Sequence, residues 1–244
     1  MSSRSSTPIR SLGPKPPISF LGAGGAHDVH LGNSAALLTW EGETFLIDCG
    51  FTVYPRLVQK NLVEKPQAIL ITHLHDDHIG SLSALLYHRH FLSKLPPTPL
   101  LAGTPELRQK LHTYLTYLMG EPLERFATIL APEDYRPYLK SIDTSGLHMP
   151  HMPSAAYLFT SPSLNLLYSG DIGKPVPALP SLATLPMLWV FHDVAFHRTP
   201  THAHYTELIP FYEQGYNLWG YHCDPAQAPP DNPIPLVHST FLLG

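Results

Sequence analysis

The chain reads as an α/β domain, and three features of the sequence lead there. Apolar runs of strand length alternate with segments of helical spacing from residue 18 onward. A hydrophobic fraction of 43% over 244 residues is enough to bury a substantial core in one large domain. Ionisable residues recur where apolar strands end, at His73, Asp171, His192 and His222. Active sites of open α/β sheets collect at such strand ends.

The elements follow in order. Residues 1–17 are rich in Ser, Arg and Pro and lack periodicity, so they are expected to form a disordered tail, with one domain over 18–244. A strand at 18–21 enters the turn Gly22-Ala23-Gly24-Gly25. No helix follows these glycines, which excludes a dinucleotide fingerprint. Residues 34–40 and 43–48 read as a hairpin around Glu41-Gly42, and 53–62 as a helix. After the strand at 68–71, Ile79, Leu82, Leu85 and Leu86 recur at helical spacing. A short strand is expected at 100–103, then a helix capped by Thr104, with Pro105 at its first position and Gly120 at its end.

The second half repeats this plan. Strands are expected at 154–160, 165–168, 187–191 and 216–221, a helix at 202–212 and a short element at 236–243. Two Pro-rich loops, 174–185 and 224–235, separate them.

The strand at 68–71 carries the strongest signal. It ends in His73, His75, Asp77 and His78, four ionisable side chains within six residues. Such a cluster is costly to bury without partners, and a divalent cation is the natural compensation. His88, His90 and His112 are instead expected to be solvated helix residues.

Composition narrows the function. The formal charge is −4, with 15 Lys+Arg against 19 Asp+Glu, which argues against general nucleic-acid binding. A small anionic substrate stays compatible, because bound metals bring local positive charge. No apolar run approaches the roughly 20 residues that span a bilayer, and no secretory segment opens the chain, so no membrane association is expected. Cys49 and Cys223 read as reduced thiols of a cytoplasmic protein. A homodimer is left open.

The pattern His-x-His-x-Asp-His after an apolar strand resembles the signature of the metallo-β-lactamase superfamily. The run from Asn33 to Gly50 and the Tyr-Ser-Gly-Asp ending at Asp171 carry the resemblance further. It implies a four-layer αββα sandwich and two divalent ions, Zn²⁺ first, with Mn²⁺ or Fe²⁺ as alternatives. His73, His75 and a third His would hold one ion. Asp77, His78 and His222 would hold the other, with Asp171 bridging. Asp48 would be a carboxylate orienting a ligand, or else a turn cap. For the third His, the small residues after His151 favour it over His148; His238 is the alternative to His222. The diiron oxidoreductase branch carries an acid at the position of His75, so this chain points away from it.

The run Phe191-His192-Asp193-Val194-Ala195-Phe196, followed by His202 and His222, resembles the RNase Z-like phosphodiesterase branch, with Asp193 where that branch has Glu. The resemblance implies that His202, held by Asp193, protonates a leaving group, with Asp77 also in the catalytic set and a hydroxide shared by the ions as nucleophile. Only 20 residues separate His151 from Asp171, too few for the flexible arm that binds tRNA in RNase Z. The expected function is hydrolysis of a small phosphodiester such as a cyclic nucleotide. Hydrolysis of lactones or thioesters, and a metal-holding binding protein with little turnover, are the alternatives.

Overall fold

A computed structural model describes residues 15–243. Residues 1–14 of the expected tail lie outside the described residues. Lys15 to Pro17, assigned to the same tail, already contact the domain: the Lys15 ammonium donates to the Thr240 carbonyl at 2.6 Å, and the Pro17 carbonyl accepts from the Thr39 N–H at 2.9 Å.

Two sheets form the centre. The first has six strands in the order of the chain: β1 (Ile18–Gly22), β2 (Ala35–Trp40), β3 (Glu43–Ile47), β4 (Ala68–Ile71), β5 (Thr98–Ala102) and β6 (Ala127–Leu130). The second holds β7 (Leu139–Asp143), β8 (Ala155–Thr160), β9 (Asn165–Tyr168), β10 (Leu188–Asp193) and β11 (Asn217–Tyr221), ordered β11-β10-β9-β8-β7. Each sheet begins antiparallel and continues parallel: β3 to β6 in the first, β9 to β11 in the second. The halves therefore share one plan, as their sequences suggest.

Strand periodicity builds the layers. In β4, Ala68 and Leu70 face the other sheet while Ile69 and Ile71 face helices. In β8, Ala155, Tyr157 and Phe159 face inward and Ala156 and Leu158 outward. Successive side chains alternate faces, so a strand buried on both sides must be apolar throughout. Helices α1 (Val53–Gln59), α2 (Asp76–Ile79), α3 (Leu82–Tyr87) and α4 (Pro105–Met119) cover the first sheet, and α5 (Pro132–Tyr135) follows β6. Helices α6 (Leu179–Leu182) and α7 (Tyr205–Glu213) cover the second. The result is the four-layer αββα sandwich. The caps of α4 are as expected: the Thr104 side chain accepts from the Leu107 N–H, and Gly120 closes the helix at φ 66°. No helix among the described residues is long and apolar enough to cross a membrane.

Four elements differ from the sequence reading. Strands β6 and β7 lie at sheet edges, where polar residues are tolerated on the open side, and the unbroken apolar run that marks inner strands is lost. Helix α7 starts at Tyr205, because residues 202–204 stay extended: Ala195 N–H donates to the Ala203 carbonyl and Tyr205 N–H to the Ala195 carbonyl. The C-terminal element is a 3₁₀ turn at Val237–Ser239, after which Phe241 and Leu243 hydrogen-bond to both sides of Phe20 and cover the edge of β1.

The interface between the sheets is aromatic. Phe20 lies 6.1 Å from Tyr168, 5.7 Å from Phe191 and 5.6 Å from Tyr221, ring to ring, and so ties the first sheet to three strands of the second. Phe20→Ala should lower the unfolding free energy by about 3–5 kcal/mol, the usual cost of emptying an aromatic core position. Urea denaturation checks this; a loss under about 1 kcal/mol would place the joint between the sheets elsewhere.

Candidate metal centre

The strands of both sheets deliver polar residues to one edge. His73 follows β4, Asp48 follows β3, Asp171 follows β9, Asp193 ends β10 and His222 follows β11. The two sheets are pinned together at this edge, since the Ala155 N–H donates to the Thr72 carbonyl at 2.9 Å and the Cys223 N–H to the Ala23 carbonyl at 3.1 Å.

Two clusters of donors form there, and a third group, Asp171, Asp193, His202 and His222, overlaps the second. In the first, His75 Nδ1 lies 3.1 Å from His73 Nε2 and 3.0 Å from His148 Nε2. The second contains Asp77, His78, Asp171 and His222. Asp171 Oδ2 is 3.3 Å from both His78 Nε2 and His222 Nε2, and each of those nitrogens is 3.3 Å from Asp77 Oδ2. Asp171 Oδ2 also lies 4.0 Å from His73 Nε2 and from His148 Nε2, so it stands between the clusters.

Hydrogen bonds on the outer side of the rings fix what each imidazole presents inward. Thr72 Oγ1 donates to Asp48 Oδ2 at 2.7 Å, so at 3.0 Å from His73 Nδ1 it accepts that ring's proton. His78 Nδ1 donates to Asp48 Oδ2 at 2.8 Å. His148 Nδ1 donates to the Thr201 carbonyl at 2.7 Å, an atom that can only accept. With Nδ1 protonated, the neutral rings of His73, His78 and His148 all turn an Nε2 lone pair to the centre. This is the arrangement by which an outer partner fixes a ligating histidine. Converging lone pairs repel unless a proton or a cation lies among them. Two buried atoms make the same demand: His78 Nε2 and Asp171 Oδ1 have no hydrogen-bond partner among the described residues. Nitrogen and carboxylate donors of this mix fit a divalent ion of the zinc type.

The field of the centre agrees. Burial, then the neighbouring His78, holds His73 well below the ordinary histidine range, and burial with His148 lowers His75. Burial opposes ionisation of Asp171, but the imidazoles of His222, His78 and His73 outweigh it and hold its carboxyl well below the usual range. His78 goes the other way. Burial disfavours its charge, yet Asp171 and Asp48 raise it well above the histidine range. A pair of carboxylates that can hold a proton on a buried ring can equally hold a cation against it.

Residue by residue, His73 and His75 lie in the first cluster and Asp77, His78, Asp171 and His222 in the second. His151, the third histidine of the sequence reading, lies in neither. It is exposed in the turn at 149–152, where its carbonyl accepts from Lys110 at 3.3 Å. His148 takes the inward position, because the Gly173 N–H bonds the Leu147 carbonyl and Thr201 holds the His148 ring. Spacing along the chain misleads here, since that outward turn consumes the intervening residues. His238 lies in the C-terminal 3₁₀ turn and belongs to neither cluster, while His88 bonds the Tyr54 hydroxyl and His112 pairs with Glu124. Both cysteines are free and buried.

Asp193 reaches His202 despite its short side chain: Asp193 Oδ2 accepts from His202 Nδ1 at 2.8 Å and from the Ile172 N–H at 3.0 Å. Its backbone N–H bonds Ser169 Oγ, which seats the carboxylate beside the Asp171 loop. His202 stacks on His222 at 4.9 Å between centroids. Burial works against its charge, but Asp193 prevails and lifts it to about 9, so the ring carries a proton at neutral pH. Thr72 and Thr201, which set two tautomers, escape sequence reasoning. The position of Thr72 directly before the first motif histidine is the signal that could have found it.

Likeness to known proteins agrees with this geometry. Residues 17–232 match the family model described as anti-Pycsar protein Apyc1. The Apyc1 protein of Paenibacillus harenae is 30% identical over 205 residues, which span 79% of this chain and 83% of that one. Among solved structures, the metallo-β-lactamase fold protein YhfI of Bacillus subtilis superposes with a TM-score of 0.67 at 19% identity, covering 84% of this chain and 85% of its own. The short form of human tRNase Z gives a TM-score of 0.64 at 19% identity over 86% of this chain and 93% of its own. The fold is thus the metallo-β-lactamase fold that the histidine motif implies, and the chain belongs to the anti-Pycsar protein Apyc1 family.

Proposed function

We propose that this metal-dependent, phosphodiesterase-like hydrolase works with two divalent ions, zinc first, and cleaves a small phosphodiester such as a cyclic nucleotide. The observation that carries this reading is the convergence of the His73, His78 and His148 Nε2 lone pairs and the Asp171 carboxylate on two adjoining clusters. His73, His75 and His148 would hold one ion, Asp77, His78 and His222 the other, and Asp171 would serve both. Bound divalent ions supply a water nucleophile near neutral pH and positive charge for the phosphoryl oxygens. The short β8–β9 hairpin fills the stretch before Asp171 and leaves no arm for a large RNA, which supports a small substrate. The free buried thiols suit a reducing cytoplasm.

The protein's own contribution to the chemistry is proton transfer and orientation. His202 stands 3.9 Å from Asp171 Oδ2, at the edge of the second cluster, and its side chain remains 25% exposed. From there its proton can reach a departing alkoxide. Asp193 keeps the ring charged and aims it. Asp48, buried and shared between Thr72 and His78, sets the direction of the inner donors before any ligand arrives.

Two outcomes test the reading. Metal-replete protein should contain two ions per chain by elemental analysis. His148→Ala should lose at least one of them with most of the activity, while His151→Ala stays within about two-fold of the parent, as surface changes usually do. A single ion in the parent, or the reverse ranking of the two variants, would sink the assignment.

His202→Ala should slow a diester with a ribose leaving group by about 10²–10⁴-fold, the usual reach of general acid catalysis. A p-nitrophenyl ester, whose leaving group needs no proton, should slow far less, with metal content intact. Equal losses on both esters would make His202 a support of the fold and not the proton donor.

A further inference from the structure

A cavity of about 460 Å³ opens beside His202 and His222, away from the first cluster. Its size suits a nucleoside-sized group. One wall is the segment 194–197, with Phe196 half-buried. The facing wall is the turn at 25–28, closed by the bond from the Asp28 N–H to the Gly25 carbonyl. Gly25 lies against the His222 ring, and a Cβ there would approach its Cε1 to 3.7 Å.

The Phe196 wall is rigid. Ala195 bonds Ala203 and Tyr205 through both of its backbone groups, at 2.8 and 3.0 Å, and the Phe196 ring packs on Tyr205 at 6.0 Å. That same stapled segment carries His202, whose proton is destined for the leaving oxygen. A group attached to that oxygen would lie toward this cavity, which His202 itself lines.

The rim selects its charge. Asp28 and Asp224 line it, and among the described residues lining it there is no lysine or arginine. Asp28 Oδ1 is held by the N–H groups of His30 and Leu31, and Asp224 Oδ2 by the Gln227 amide, so both carboxylates are fixed in place. The two fixed carboxylates offset the charge on His202, which lines the same cavity, so no surplus of positive charge draws an anionic group and an uncharged one is accepted.

Resting on the phosphodiesterase reading, we propose that this cavity is a base subsite: it takes the uncharged heterocycle borne by the ribose that carries the leaving oxygen, with Phe196 as its stacking face. Phe196 is then a specificity-determining residue, acting on binding of the base and not on the phosphorus.

The test uses the full metal-loaded chain with two cyclic diesters that share one leaving group, 3′,5′-cyclic AMP and methyl riboside 3′,5′-cyclic phosphate, which has no base. Phe196→Leu keeps the apolar contact with Tyr205 but removes the aromatic face; Phe196→Tyr keeps the face. Base stacking on an aromatic side chain is worth about 1–3 kcal/mol, so F196L should raise KM for cyclic AMP by about 10-fold with kcat within about 3-fold. The base-free diester should respond at least about 5-fold less, and F196Y should restore the parent KM for cyclic AMP. Equal effects of F196L on both diesters, or no effect on either, overturn the subsite while leaving the phosphodiesterase reading intact. If the parent cleaves neither these diesters nor bis-p-nitrophenyl phosphate, the phosphodiesterase reading fails, and the subsite with it.

Discussion

The centre depends on one buried carboxylate. Asp48 accepts the Thr72 N–H, the Thr72 hydroxyl and the His78 Nδ1–H, and through Thr72 it also fixes the proton of His73. Burial pushes its pKa up, and His78 partly offsets that rise. Asp48 sits at φ 63°, a left-handed conformation in which few residues other than glycine are comfortable. His222, on the opposite side, is at φ 64°. Backbone strain at the two ends of the site is tolerated because the surrounding hydrogen bonds over-determine it. Its yield is a set of lone pairs that face inward before any ion is present.

Much of this was legible from the sequence. Strand 68–71 and the cluster after it declare themselves because buried apolar residues run directly into charge, and no ordinary loop does that. The place of Asp171 between the clusters is legible for the same reason, at the end of the apolar Leu166-Leu167-Tyr168. What fails is position within loops. His148 and His151 are both flanked by Met-Pro, and only three-dimensional ties to Gly173 and Thr201 decide between them. Edge strands β6 and β7 fail for another reason, since part of each faces solvent and the continuous apolar run that marks the inner strands is missing. Whether Asp193, one methylene shorter than Glu, reaches His202 is a question of distance that no sequence answers; the backbone anchors it on Ser169 and brings it within reach of His202.

Function here is a matter of what surrounds a widely shared centre. The same donors could open a lactone or a phosphodiester, so the walls must discriminate. On the proposed reading, the tight β8–β9 hairpin, the cavity beside His202 and the aromatic Phe196 in its wall would all act on the part of the substrate that is not reacting. Binding energy drawn from that part can be used to orient the phosphorus.

The division of the donors between the two halves bears on biosynthesis. His73, His75, Asp77 and His78 precede β5, whereas His148, Asp171 and His222 all follow β7. Neither cluster can be assembled from one half. A nascent chain leaving the ribosome therefore exposes four candidate donors of the first half long before their partners exist, and the edge of β1 stays uncovered until residues 241–243 emerge. Contacts of such long sequence separation form late. Tight, lasting capture of metal is consequently a property of the finished polypeptide, and loading follows synthesis instead of accompanying it.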